Sequence, residues 1–405
     1  MKAVRIIGLF ALVLVALSTT GCMGNAGPQG FAGITSEGDM LYVGATDGRL
    51  LVLDSDARMN NRPFPSDGEW EYAITTPSSS FGCSSSEVAA TVYASPLVID
   101  GKVCVGTYEG KVFMLDSESR SQGLAFPQAR AGEWVYPRGE EEEIGPIVGT
   151  PAVLGSTVYV TSSIEEDGVT TGRVYALDLT YGDELWVSDA LDGKLWATPA
   201  VDGGAVYVST FDGHIMGLST TTGEILPWSY ENEVGFVSSP LVDRGVAYVG
   251  AFDHILYAVE LGSQEPRWEF EAGNWFWATP IMIGNTLLAP CLDGKLYAID
   301  ADTGKLVWND IFDAGNGIAT SPIVVGDSAV VATMEGDVYF VNMSTAVGTR
   351  VPNIADEMNP TCDARVVATP CYFDGMVYVR AQDDVLYGID PAAKEVKFTF
   401  SLDME

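Results

Sequence analysis

A three-residue signature recurs along the chain: a small residue, then Ser or Thr, then Pro. It reads Ala94-Ser95-Pro96, Gly149-Thr150-Pro151, Ala197-Thr198-Pro199, Ser238-Ser239-Pro240, Ala278-Thr279-Pro280, Thr320-Ser321-Pro322 and Ala368-Thr369-Pro370. Successive prolines stand 55, 48, 41, 40, 42 and 48 residues apart. An eighth copy without Pro, Ala32-Gly33-Ile34, holds the same register before Met40 to Gly44. A period of ~40 residues restricts the chain to repetition of one supersecondary unit, because a single unit cannot bury both of its faces alone.

Each copy repeats one pattern. An apolar run follows the Pro, then a turn such as Val201-Asp202-Gly203-Gly204, then a β-rich run such as Val206-Tyr207-Val208. A tight turn follows (Asp47-Gly48, Glu109-Gly110, Asp212-Gly213, Asp293-Gly294, Glu335-Gly336), as expected of hairpins, since Gly accepts positive φ. A third apolar run ends in Asp or a polar substitute: Asp54, Asp116, Asp178, Ser219, Glu260, Asp300, Asn342, Asp390. Such a residue caps its own turn by accepting from downstream N–H groups. A Trp then opens a fourth run. Four short strands per repeat and no sustained helical period predict an all-β fold, one eight-bladed propeller of four-stranded antiparallel blades over residues 31–405.

The Trp column holds Trp70, Trp134, Trp186, Trp228, Trp268 and Trp308, with Arg350 in blade seven and Phe398 in blade eight. With the Pro triplets, the stretch LYAIDADTGKLVW (Leu296 to Trp308) resembles the PQQ-like repeat. That repeat builds quinoprotein dehydrogenases and the BamB-like lipoproteins of outer-membrane assembly. The resemblance implies that these six Trp dock structurally between blades. Each terminal blade is expected to be complete from contiguous sequence, with no swapped strand. Without a Trp in blades seven and eight, the ring is expected to be weakest there.

The first thirty residues read as an address. Lys2 and Arg5 precede a twelve-residue apolar run, Ile6 to Leu17, which is shorter than the ~20 residues a membrane span needs. Ser18 to Gly21 then lead to Cys22, which resembles a bacterial lipoprotein signal, although Thr19 stands where Leu is usual. Residues 1–21 are expected to be a signal peptide, Cys22 the lipidated residue, and 22–30 a flexible tether. Ordinary cleavage nearby is the alternative. Lys+Arg 21 against Asp+Glu 55 gives a net charge of −34. So anionic a surface repels nucleic acid and anionic lipid heads. The chain is expected to be monomeric and exported, on the outer face of the cytoplasmic membrane or at an outer membrane.

Departures from the repeat are where function is sought. In each blade the B–C and D–A connections share one face. On it, the D–A loops vary most: Ile74 to Val92 (with Cys83), Pro137 to Val148 (with Glu140 to Glu143) and Pro352 to Val367 (with Cys362). The B–C turn of blade three is expanded, Ser162 to Gly172. Aromatics cluster near the triplets: Tyr93, Trp196, Phe236, Trp275 and Trp277. They are expected to ring the channel mouth, either gripping an apolar peptide, a sugar or a quinone ring, or plugging the mouth as packing. On the opposite face, the C–D connections of blades one and two are long and alike: Phe64-Pro65 then Gly68-Glu69-Trp70, and Phe126-Pro127 then Gly132-Glu133-Trp134. They read as a tandem duplication, either a partner ridge or local edge cover.

The chain has only two His, His214 and His254, which excludes a multi-His metal centre. Five cysteines follow Cys22, so at least one is unpaired. Cys104 and Cys291 read as buried small hydrophobes. Cys362 and Cys371 lie nine apart across one loop, where a disulfide suits an exported protein, although sequence does not fix pairing. Quinone-binding relatives carry a catalytic Asp, metal-binding acidic residues and commonly a Cys-Cys pair; no Cys-Cys occurs here. No catalytic or metal-binding residue is assigned, and neither PQQ nor Ca²⁺ has a complete set of ligands in the sequence. The expected function is non-catalytic protein binding at the cell envelope, BamB-like, with an envelope protein or peptide as partner. A PQQ-dependent dehydrogenase and glycan or small-ligand capture at the mouth are the alternatives.

Overall fold

The computed structural model describes residues 33–77, 87–139, 144–166, 168–352 and 365–403. Cys22, Cys83, Glu140 to Glu143 and Cys362 lie outside the described residues, and with them the expected lipidation and the Cys362–Cys371 pairing. Eight antiparallel sheets follow one another along the chain, each joining consecutive strands A to D in order, and the sheet of blade three carries a fifth, two-residue strand. Blade four is typical: Ala200–Asp202, Ala205–Ser209, His214–Ser219 and Ile225–Glu231. The expected eight-bladed propeller is what forms. Helix is confined, among the described residues, to α1 (Ser55–Met59), α2 (Ser117–Ser121) and one 3-10 turn.

Strands B and C carry the core, as in Val246–Gly250, buried throughout. Their alternate residues enter two different inter-blade clusters, which is the period-two rule of a sheet covered on both faces. The residue that ends strand C turns the chain as expected. Asp178 Oδ1 accepts from the amides of Thr180 (2.9 Å) and Tyr181 (2.8 Å), and Asn342 Oδ1 from Ser344 (3.0 Å) and Thr345 (3.1 Å).

These turns receive the Trp of the preceding blade. The indole N–H of Trp134 donates to Leu179 O (3.1 Å), Trp186 to Thr220 O (3.0 Å), Trp228 to Ser263 O (2.7 Å), Trp268 to Ala301 O (2.8 Å) and Trp308 to Met343 O (2.7 Å). A glycine at φ +68°, Gly304, lets the turn lie on the Trp268 ring; a Cβ there would come within 2.7 Å of it. Trp70 differs. It is buried, but its Nε1 has no hydrogen-bond partner. In blade two the receiving turn is replaced by α2, whose own first turn begins at Ser117.

The twin insertions take over at that seam and at the ring closure. Asp54 caps α1 by accepting from Ala57 N (3.1 Å), and Asp116 caps α2 through Ser119 N (2.8 Å). Each helix presents an arginine to the glutamate before the Trp. Arg120 Nε and Nη2 donate to Glu133 Oε1 (2.7 Å) and Oε2 (2.9 Å), and Glu133 also accepts from the amides of Asp116 (2.9 Å) and Gln128 (2.7 Å). Arg58 donates to Glu69 Oε2 at 2.9 Å, and Glu69 accepts from the amides of Asp54 (2.9 Å) and Ser66 (2.6 Å). Both pairs are buried. Each guanidinium also reaches the blade before its own: Arg120 lies 5.3 Å from the Tyr72 ring of blade one, and Arg58 lies 4.8 Å from the Phe400 ring of blade eight. The duplicated connections are thus clasps, covering the outer edge of the neighbouring blade.

The terminal blades are each complete, with no swapped strand. Blade one meets blade eight through Leu41, Val43, Leu51, Tyr378, Leu386 and Leu402. The seam expected to be weakest carries polar ties as well as apolar packing. Thr46 bonds Asp384 through its amide (3.1 Å) and its hydroxyl, and Arg49 Nη2 donates to Leu402 O (2.8 Å). Arg350, which replaces Trp in blade seven, donates to Asp337 Oδ1 of its own blade (2.6 Å).

Candidate functional site

The triplets stand at the entry of strand A, so their Ser and Thr meet around the axis. Thr150 N donates to Thr198 Oγ1 (2.9 Å), Thr198 N to Ser239 Oγ (2.9 Å) and Ser321 N to Thr369 Oγ1 (3.3 Å). These hydroxyls therefore link blade to blade. Blade one, which lacks the motif, places Gly33 in that position: a Cβ on it would lie 2.1 Å from Ser95 Oγ.

The residue three before each small residue is fixed by a second repeated bond. Its carbonyl accepts from the B–C turn of the same blade: Thr91 O from Tyr108 N (2.8 Å), Lys194 O from Phe211 N (3.2 Å), Gly235 O from Phe252 N (3.0 Å) and Trp275 O from Leu292 N (2.9 Å). Between that anchor and the triplet only two residues remain, and the chain alternates. The one two before the small residue points into the core: Val92, Ile147, Leu195, Phe236, Phe276, Ile318 and Val366 are all buried. The one immediately before it faces the axis: Tyr93, Val148, Trp196, Trp277, Ala319 and Val367 line a single cavity of about 440 Å³.

The expected aromatic mouth is therefore present with one correction. Tyr93, Trp196, Trp275 and Trp277 share that cavity. Phe236 does not. It is 1 % exposed and packs against Tyr257, because its offset from the triplet is the core-facing one. The B–C turns, not singled out from sequence, supply Tyr108, Leu292 and Met334 to the same wall. Phe211 and Phe252 occupy the same turn position. They continue an edge-to-face arc, Trp196 to Phe211 (5.2 Å), Phe211 to Phe252 (5.3 Å) and Phe252 to Trp275 (5.3 Å). The readable signal was an apolar residue just before Asp-Gly or Asp-His, in a turn where solvent exposure favours polar side chains.

The expanded B–C turn of blade three is a longer hairpin, with strands Thr157–Glu166 and Val169–Asp178 in unbroken register. Leu191–Asp192 pairs on its edge, and Ser163 Oγ accepts from Leu195 N (2.8 Å), which fixes the segment bearing Trp196. Lys194 Nζ lies 5.1 Å from the Trp196 ring.

Among the described residues, none that lines the cavity is charged. Glu109, close by, has its carboxylate engaged by the amide (3.0 Å) and hydroxyl (2.8 Å) of Thr91. Burial, then the neighbouring Tyr108 and Glu109, raises the Tyr93 phenol above its ordinary value. His214 and His254 sit at B–C turns as expected, His254 at the glycine position with φ +71°. Burial pushes the thiols of Cys104 and Cys291 up to about 12, which leaves them protonated and unreactive near neutrality. Cys371 is also raised by burial, and its Sγ lies 3.5 Å from Ser36 Oγ.

The rim has a pH-sensitive staple. Asp293 Oδ2 accepts from Tyr297 Oη (2.6 Å) and Gly273 N (3.0 Å). Burial alone would raise this carboxyl, but these donors outweigh it and hold it below the usual carboxylate range. A carboxyl lowered on folding contributes stability above its unfolded pKa of about 4 and loses it as pH falls through the lower folded value. Asp293→Asn is therefore expected to lower stability at pH 7 and to flatten the acid limb of denaturant midpoint against pH. An unchanged acid limb would count against the staple.

A family model described as outer membrane protein assembly factor BamB matches residues 62–186 and 170–355. Among solved structures, BamB from Moraxella catarrhalis is similar at a TM-score of 0.61 and 18 % identity, over 82 % of this chain and 92 % of that one. The computationally designed Ika8 protein is similar at 0.64 and 14 % identity, over 88 % and 95 %. At such identities the two structures speak for the fold. No curated protein matches the sequence. The family model, spanning more than half the chain, agrees with the blade-by-blade architecture, and the chain belongs to the family of the outer membrane protein assembly factor BamB.

Proposed function

We propose that the protein is an exported, lipid-anchored scaffold at the cell envelope that binds a partner protein on its mouth face without catalysing a reaction. The observation that carries this reading is its membership of the BamB family. Two further features support it. The loops that vary most belong to the mouth face, and Gly21-Cys22 after a short apolar run suits a lipid anchor. No catalytic residue and no cofactor are assigned.

The test places photo-crosslinkers on both faces of the native, membrane-bound protein. A probe at exposed Glu335, in a B–C turn, is expected to trap one discrete envelope protein, and a probe at Asp202, the end of a strand A beside the A–B turn on the opposite face, is not. Cys22→Ala is expected to move the protein from the detergent phase to the aqueous phase. Equal trapping by both probes, or detergent partitioning that survives Cys22→Ala, would remove the corresponding half of the reading.

A further inference from the structure

We propose that the mouth cavity is a binding site for neutral carbohydrate. The first argument is charge. The chain carries 55 Asp and Glu and a net charge of −34, yet among the described residues none lining the cavity is Asp, Glu, Lys, Arg or His. An anionic ligand would enter against the field of the whole molecule, with Lys194 at the Trp196 ring as the cation beside the wall. A cation would find no carboxylate on the wall.

The second argument is aromatic exposure. Rings that serve only as packing are covered here: Phe236 and Phe276 are each 1 % exposed. Trp277 and Tyr108, on the cavity wall, are 37 % and 40 % exposed. Large flat faces held at the surface of a formed cavity match the C–H face of a sugar ring, which is apolar while its edges are polar.

The third argument is the hydroxyl ring. Thr198, Ser239 and Thr369 each accept from a backbone amide of the preceding blade, which fixes the oxygen. Their own protons go to no acceptor among the described residues. A hydroxyl retains one donor and one acceptor site after taking one bond, and sugar hydroxyls offer both complements. The cavity of about 440 Å³ is of small-molecule size. This proposal concerns the axial cavity and stands whether or not a protein partner binds the mouth-face loops.

The experiment titrates the purified protein with maltotriose, cellotriose and N,N′,N″-triacetylchitotriose, read by intrinsic Trp fluorescence and calorimetry. Parallel titrations use a glucuronate-containing trisaccharide, the anionic quinone PQQ and a short phenylalanine-rich peptide. Saturable binding of at least one neutral trisaccharide, tighter than any of the three parallel probes, is expected. Trp277→Ala is expected to weaken it about tenfold while the far-UV circular dichroism keeps the folded β signature. Failure of all three neutral trisaccharides to saturate below about 10 mM would overturn the proposal. Tighter binding of the quinone, the acidic sugar or the peptide would overturn it as well, as would unaltered binding by Trp277→Ala.

Discussion

Glu133→Ala is expected to destabilise the propeller by about 3–5 kcal/mol, because it leaves the Arg120 guanidinium buried without its carboxylate. The same change strips the amides of Asp116 and Gln128 of their acceptor, so the insertion loses the bonds that hold it against the blade. The measurement is the shift of the urea midpoint at constant m-value. Replacing Arg120 and Glu133 together by apolar residues of similar volume is expected to recover most of the loss, since the larger part of it is the unpaired charge. If the single variant unfolds at the wild-type midpoint, the clasp does not hold the seam.

Trp268→Ala is expected to cost about 3–5 kcal/mol, in line with removal of a buried large aromatic side chain. The phenylalanine variants separate packing from hydrogen bonding. Trp268→Phe loses the bond to Ala301 O at 2.8 Å and is expected to cost about 1 kcal/mol more than Trp70→Phe, whose indole N–H has no partner to lose. Equal costs in the two denaturation curves would show that the docking bond contributes nothing.

The blade architecture was legible because eight copies of one pattern share a phase, so an error in one copy is corrected by the others. The column located Trp134, Trp186, Trp228, Trp268 and Trp308, and the resemblance to the PQQ-like repeat implied their docking role. The mouth was legible only to within one residue. Tyr93, Trp196 and Trp277 stand immediately before the small residue of the triplet, and Phe236 stands two before. In extended chain that single step reverses which side a ring faces. Arg58 and Arg120 escaped notice for a different reason. The duplicated Phe-Pro and Gly-Glu-Trp segments drew attention to the C–D connections, but the arginine of each helix finds its carboxylate 11 or 13 residues later, across an irregular loop. No periodicity connects such a pair. The turn aromatics Phe211 and Phe252 were hidden by their position in a loop, where an apolar residue is easily read as incidental.

The clasp of blade one has a temporal meaning. Arg58 and Arg49 belong to the first of the eight blades, and they leave a ribosome or an export channel long before their counterparts, Phe400 and Leu402. The bond from Arg49 to Leu402 joins positions 353 apart. Blades two to seven can each pack on a finished predecessor as they appear. Blade one must wait with one flank open until strand Glu395–Ser401 arrives. The entropy of so long a closure rises only with the logarithm of its length, so the delay is the heavier burden on a nascent chain. Throughout that interval Leu41, Val43 and Leu51 lack their eventual cover from blade eight. The seam's dense set of charges and rings therefore acts as a latch, set first and shut last.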